Sequence, residues 1–229
     1  MTGLTYAIGD VHGRSDLLDQ ALAWIEADAG PRPARVVFLG DYVDRGPDSK
    51  GVVEILMRGP RQPGHEWVPL KGNHDAMLVA ACAGARPEHV MLWFVNGGIE
   101  TLESYAPGWR VRRAPPPCDV VPAEHVAFLR DLPCRFEDDA RIFVHAGLFP
   151  GVPLEEQDEE DLLWIRDEFL HSNHDFGKLV VHGHTPNVSG LPELLPNRLN
   201  LDTGAVWTGR LTVAAFDPDA RRPRIFQTG

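Results

Sequence analysis

Apolar residues along the chain fall into short runs, and each of the first runs empties into a polar cluster rich in glycine. Leu4–Ile8 leads into Gly9-Asp10-Val11-His12-Gly13, and Arg35–Leu39 into Gly40-Asp41-Tyr42-Val43-Asp44-Arg45-Gly46. Trp67–Leu70 leads into Lys71-Gly72-Asn73-His74-Asp75, Arg141–Val144 into His145-Ala146-Gly147, and Leu179–Val181 into His182-Gly183-His184-Thr185. Arg198–Leu201 and Leu211–Phe216 are two further runs. Short apolar runs bounded by turn residues predict buried strands. Between them the period changes. Ser15–Ala29 brings Leu17, Leu18, Ala21, Leu22 and Ile25 to one face, and Ser49–Met57 does the same with Val52, Val53, Leu56 and Met57. That is helical spacing. Strands alternating with helices predict an α/β layered fold.

Residues 76–135 depart from this rhythm. The helical stretches Ala76–Ala83, His89–Phe94 and Ala123–Leu129 flank a proline-rich loop, Ala114–Pro117. They predict a helical insertion between the third and fourth strands, with residues 1–229 forming one domain. The acidic run 155–161 precedes an expected helix over Leu162–Leu170 and reads as its solvated N-terminus, where carboxylates suit the dipole.

Composition narrows the function. At 43% hydrophobic and 24% charged residues the chain can bury a core, which excludes disorder throughout. A net charge of −11 argues against nucleic-acid and anionic-membrane partners, both of which need clustered cations. No apolar run is long enough to span a bilayer, and residues 1–8 carry no secretory pattern. Cys82, Cys118 and Cys134 form no C-x-x-C pair, so a reducing cytoplasm is expected. None is followed six positions later by arginine, as a cysteine phosphatase loop would require, and no P-loop is present.

The polar clusters carry the chemistry. Asp10, His12, Asp41, Asn73, His145 and His184 each fall just past the end of an expected strand. At that edge of an open α/β sheet ligands bind. Carboxylates, imidazoles and an amide without any thiolate suit Mn²⁺, Fe or Zn²⁺ in a catalytic site.

Gly-Asp-Val-His-Gly, Gly-Asp-Tyr-Val-Asp-Arg-Gly, Gly-Asn-His-Asp, His-Ala-Gly and His-Gly-His-Thr together resemble the metallophosphoesterase signature. Asp44 and Arg45 in the second motif resemble the phosphoprotein phosphatase branch, which holds Ser/Thr protein phosphatases and symmetrical diadenosine tetraphosphatases. The compact length and the closing Asp202-Thr203-Gly204-Ala205 are similar to the bacterial and phage-lambda type. The resemblance implies a calcineurin-like four-layer α/β-β/α sandwich with two divalent metal ions, Mn²⁺ first and Fe or Zn²⁺ as alternatives. It implies that Asp10 and His12 hold the first metal, that Asp41 bridges, and that Asn73, His145 and His184 complete the second. His74 would be the general acid oriented by Asp44, and Arg45 would clamp the phosphate. Arg166, in Trp164-Ile165-Arg166, falls where lambda-type enzymes carry a second phosphate-binding arginine. The implied activity is phosphomonoester hydrolysis by in-line attack of a metal-bridging hydroxide, with phosphorylated protein as the leading substrate. Diadenosine tetraphosphate, or another small phosphoester, is the alternative. A non-catalytic binding module would be expected to have lost a ligand or His74, and none is missing.

Other residues stay divided. His182 reads equally as a group supporting the metal ligands or as an ordinary strand-end histidine, and Asp202 as a partner of a ligating histidine or a turn residue. Trp93, Asn96, Gly97 and Gly98 resemble a lambda-type segment near the site, with Trp93 expected in the core. Arg110, Arg112 and Arg113 read as a solvated loop ahead of a substrate surface.

Overall fold

A computed structural model describes residues 3–109 and 116–229. Arg110, Arg112 and Arg113 lie outside the described residues. The first sheet has the order β10-β9-β1-β2-β3 and the second the order β4-β5-β6-β8-β7. In the first, β1 (Leu4–Ile8), β2 (Ala34–Phe38) and β3 (His65–Pro69) run parallel, and β9 (Thr212–Phe216) lies antiparallel between β1 and the edge strand β10 (Arg224–Gln227). In the second, β5 (Arg141–Val144), β6 (Leu179–His182) and β8 (Arg198–Asn200) are parallel, edged by antiparallel β4 (Arg135–Glu137) and β7 (Glu193–Leu194).

The continuous apolar runs follow from burial on both faces. Along β1, Tyr6 and Ile8 point to a core shared with α1 (Ser15–Ala29) and α2 (Ser49–Arg58), while Ala7 points the other way. Along β2, Val36 and Phe38 share that helix-side core and Val37 joins Ala7. In the second sheet Phe143 and Val181 meet Ala7, Val37, Leu39 and Leu70 between the sheets. Ile142, Val144 and Val180 face outward onto Leu162, Ile165 and Phe169. Helices, sheet, sheet and helices thus form the four layers the resemblance implies.

The strands not foreseen are all edge strands. Arg135–Glu137, Glu193–Leu194 and Arg224–Gln227 are short and charged, as edges that must resist pairing tend to be, and so lack an apolar run.

The stretch expected as an insertion holds α3 (Asn73–Cys82), α4 (Pro87–Trp93), a single π-helical turn over Phe94–Gly98, α5 (Ile99–Tyr105), α6 (Pro117–Val120) and α7 (Ala123–Arg130). α3 packs against α4 and α7, and α5 returns against α2. α3 starts at Asn73, earlier than the apolar pattern indicates, because its first turn is polar. The helix expected over Leu162–Leu170 is broken: α8 (Glu159–Trp164) stops, Ile165 is extended, and α9 (Asp167–Leu170) follows Arg166. α10 (Ala205–Thr208) starts after Gly204, which has φ 65°. Among the described residues no helix is long and apolar enough to cross a membrane.

Candidate metal centre

The loops leaving β1, β2, β3, β5 and β6 converge at one end of the two sheets. Among the described residues, the non-glycine positions with left-handed backbone are His12, Asp41, Asp44, Arg45 and His184, all in these loops. Such a conformation is costly for a side chain, persists only where the surroundings enforce it, and gathers at functional sites. The enforcement is visible. The amides of Val11 and His12 donate to the Asp41 carbonyl. The buried Asp75 carboxylate accepts from the amides of Asp41 (2.9 Å), Tyr42 (3.0 Å) and Gly72 (2.9 Å), tying the β2 loop to the start of α3. The same Asp41 places Oδ1 3.0 Å from the His74 amide.

Asp41 is the hub. His12, Asp41 and His74 form one group whose ligand atoms lie within 4.8 Å of one another, and Asp41, His145 and His184 form another. His12 Nε2 is 3.4 Å from Asp41 Oδ2, and His145 Nε2 is 3.4 Å from Asp41 Oδ1. Asn73 Oδ1 faces His145 Nε2 at 2.9 Å and His184 Nδ1 at 3.0 Å. Asp10 is in neither tight group: its oxygens accept the His184 amide at 3.1 and 3.3 Å, across from one sheet to the other.

The tautomers test whether these groups fit a cation. His145 donates its Nδ1–H to the Leu39 carbonyl (2.7 Å) and His12 its Nδ1–H to the Val43 carbonyl (2.9 Å). The Nε2 of each neutral ring is therefore a lone pair; that of His145 faces Asn73 Oδ1, also an acceptor, while that of His12 meets both Arg45 and Asp41. Two acceptors hold such a distance when both point at a cation: ligand atoms roughly 2.0–2.2 Å from one ion lie about 3 Å apart. His184 turns its Nδ1 to the same Asn73 oxygen at 3.0 Å. The donor set fits divalent metal.

Electrostatics say the same. Burial drives His12 down to about 3 and His184 to about 2, and pushes His145 down as well, so these rings are neutral ligands near pH 7. Burial, then Asp202 and Asp41, push Asp10 well up, and Asp202 itself rises to about 6. Asp41 goes the opposite way: burial opposes its charge, but its interactions with the imidazoles of His145, His74, His12 and His184 hold it below the usual carboxylate range.

Beside the hub, His74 donates Nδ1–H to Asp44 Oδ2 at 2.7 Å. Arg45 offers Nη1 to His12 Nε2 and Nη2 to His74 Nε2, both at 2.8 Å, so its guanidinium points into the centre. Arg166 sits in the break between α8 and α9 and donates to Thr185 Oγ1 at 3.1 Å, next to His184. Trp93 is fully buried, as a core residue would be, but it also donates its indole N–H to Asp44 at 2.9 and 3.0 Å. His182 turns its ring edge to Phe169 and takes no part in either group. Asp202 takes the turn role, Oδ1 accepting the Gly204 amide at 3.0 Å, and its side chain meets the carboxylate of Asp10 instead of a histidine. Asp75 is the functional scaffold that reading by motif passed over; its place in Gly-Asn-His-Asp is the only sequence signal.

Close packing adds a test. A Cβ on Gly183 would run into Asp10 Oδ1. Gly183→Ala is expected to displace that carboxylate and lower the bound metal per chain, measured by elemental analysis, while leaving the far-UV circular dichroism unchanged.

Fold and centre define a two-sheet hydrolase scaffold built around a carboxylate shared by two ligand groups. Residues 4–217 match the family model of calcineurin-like phosphoesterases, and the chain belongs to that family. It is 27% identical over 228 residues to serine/threonine-protein phosphatase 1 of Salmonella typhimurium, covering 91% of this chain and 90% of the relative. It is 33% identical over 150 residues to the symmetrical bis(5'-nucleosyl)-tetraphosphatase of Janthinobacterium sp., covering 64% of this chain and 44% of the relative. A solved structure provisionally described as a diadenosine tetraphosphatase shares the fold, with a TM-score of 0.70, 23% identity, and coverage of 100% of this chain and 94% of that one.

Proposed function

We propose that this metallophosphoesterase is a dinuclear-metal phosphomonoesterase acting on phosphoserine and phosphothreonine in proteins. The observation that carries it is Asp41, which faces both His12 and His145 at 3.4 Å and so can serve two cations at once. In this reading Asp10, His12 and Asp41 hold one metal, and Asp41, Asn73, His145 and His184 the other. Two divalent ions, Mn²⁺ first and Fe or Zn²⁺ next, would supply an activated water and offset phosphoryl charge.

The protein's own groups do the rest. Arg45 and Arg166 present planar donor forks to the phosphoryl oxygens. His74, held by Asp44, gives a proton to the leaving oxygen. Similarity to a protein phosphatase over nearly the whole of both chains supports the protein substrate. The higher identity to a symmetrical tetraphosphatase over part of the chain favours a second reading, a dinucleoside tetraphosphate hydrolase.

One assay separates them. The purified protein is tested on a phosphoserine peptide, p-nitrophenyl phosphate and diadenosine tetraphosphate, before and after chelation. Activity is expected to vanish on chelation and to return with Mn²⁺, with the peptide turned over fastest. Full activity in a sample shown by elemental analysis to be metal-free would sink the metal reading, and preference for the dinucleotide would select the second substrate.

A further inference from the structure

Asp44 and Arg45 are consecutive left-handed residues, with φ 71° and 66°. Ser49 Oγ accepts the Asp44 amide at 3.1 Å, and the rest of what holds them comes from a nine-residue segment in the helical stretch, Trp93 to Thr101. Thr101 Oγ1 accepts the Asp44 amide at 2.8 Å and donates its own proton to Asp44 Oδ1 at 2.6 Å, closing a ring between the two residues. The Gly97 carbonyl accepts the Arg45 amide at 3.2 Å. Gly97 has φ 107°, and a Cβ there would stand 2.6 Å from the Arg45 nitrogen, so the π-helical turn is pressed directly on this backbone.

The bonds to the carboxylate have a definite division. Thr101 fills Oδ1. The Trp93 indole N–H, 3.0 Å from Oδ1 and 2.9 Å from Oδ2, straddles both oxygens and sets the plane of the group. Oδ2 is then left facing His74 Nδ1. A core position that needed only apolar volume would be served as well by phenylalanine, yet at this one the single polar atom of the ring lies on the carboxylate.

We propose that Trp93 and Thr101 are positioning residues of the Asp44–His74 pair: they fix the carboxylate so that His74 is held in one tautomer and one orientation, with Nε2 towards the leaving group. The proposal rests on the reading of His74 as proton donor. It gives a catalytic task to the segment Trp93–Thr101, which otherwise contributes only packing.

The test uses Trp93→Phe, which keeps the ring and removes the N–H, and Thr101→Val, which keeps the shape and removes the hydroxyl, with Thr101→Ser as the conservative rescue. Each is made alone and with His74→Asn. For each, kcat and KM on a phosphoserine peptide and on p-nitrophenyl phosphate, the metal content and the Tm are recorded. Loss of one hydrogen bond to a charged group corresponds to about a 10-fold effect. Trp93→Phe is therefore expected to lower kcat about 10-fold on the peptide, and Thr101→Val, which gives up two bonds to Asp44, by at least as much. On p-nitrophenyl phosphate the change should be small, with KM and metal content unaltered. Thr101→Ser should restore the peptide rate. On top of His74→Asn neither change should cost anything further.

A purely structural role would lower Tm and reduce both substrates alike, or add to the His74→Asn loss, and either result overturns the proposal. If Trp93→Phe does not fold, the threonine pair decides. If His74→Asn alone loses equally on both substrates, the proton-donor reading is what fails, and the positioning proposal then stands or falls on non-additivity with His74→Asn.

Discussion

His74→Asn is expected to lose ~10²–10⁴-fold in kcat on a phosphoserine peptide and far less on p-nitrophenyl phosphate, with both metals still bound. A serine alkoxide leaves poorly without a proton, whereas p-nitrophenolate needs little help. The geometry gives the reason for singling out this ring. Its Nδ1–H is committed to Asp44 Oδ2 at 2.7 Å, so Nε2 is the atom that carries any proton to be given away. Arg45 donates to that Nε2 at 2.8 Å, so the ring takes up its proton once Arg45 turns to clamp a bound phosphoryl group. Arg45→Ala should therefore hurt both substrates, because the phosphoryl group is common to them. Steady-state kcat on two substrates, with metal content measured in parallel, checks the contrast. Equal loss for His74→Asn on both would assign the ring to phosphate or nucleophile positioning.

Asp41→Asn should be the most damaging change among the proposed ligands. The carboxylate takes part in both ligand groups, and it also receives the His74 amide at 3.0 Å. Neutralising it removes charge from two cation sites together and loosens the start of α3. Asp10→Asn and Asn73→Ala each touch fewer partners. Metal per chain and kcat are expected to fall together for Asp41→Asn, and to fall less for the other two. An Asp41→Asn protein with two metals and near-normal kcat would contradict the bridging role.

How much of this could be read beforehand depended on burial. β1 and β5 coincide with their apolar runs because both faces of each strand are covered, so all their positions but Thr5 and Arg141 are apolar or aromatic. The charged edge strands left no such mark. The loop residues were legible because ligand-type side chains are rare immediately after buried strands, and glycines stand beside them for the close approaches seen at Gly72 and Gly183. Trp93 was half legible. An apolar pattern identifies a buried ring but not where its one N–H points. The break at Ile165–Arg166 was hidden for a similar reason: Leu162, Ile165 and Phe169 keep helical spacing and share one core, although the backbone leaves the helix at Ile165 and Arg166. Asp75 escaped because a carboxylate that binds three amides looks, in sequence, like one that binds an ion.

The bonds across the site join very distant parts of the chain. Asp10 and the His184 amide are 174 residues apart, and His145 reaches the Leu39 carbonyl across 106. Ordering so long a loop carries its entropy cost before any contact rewards it, and non-local pairing of this kind slows folding. A growing polypeptide therefore has no complete centre until β6 has emerged and docked, however early the first sheet forms. Ion uptake becomes a clock for the last stage of folding. In a refolding experiment, metal-dependent signals should lag behind the recovery of secondary structure, and the ion, by binding only the finished arrangement, should slow its escape back to the open chain.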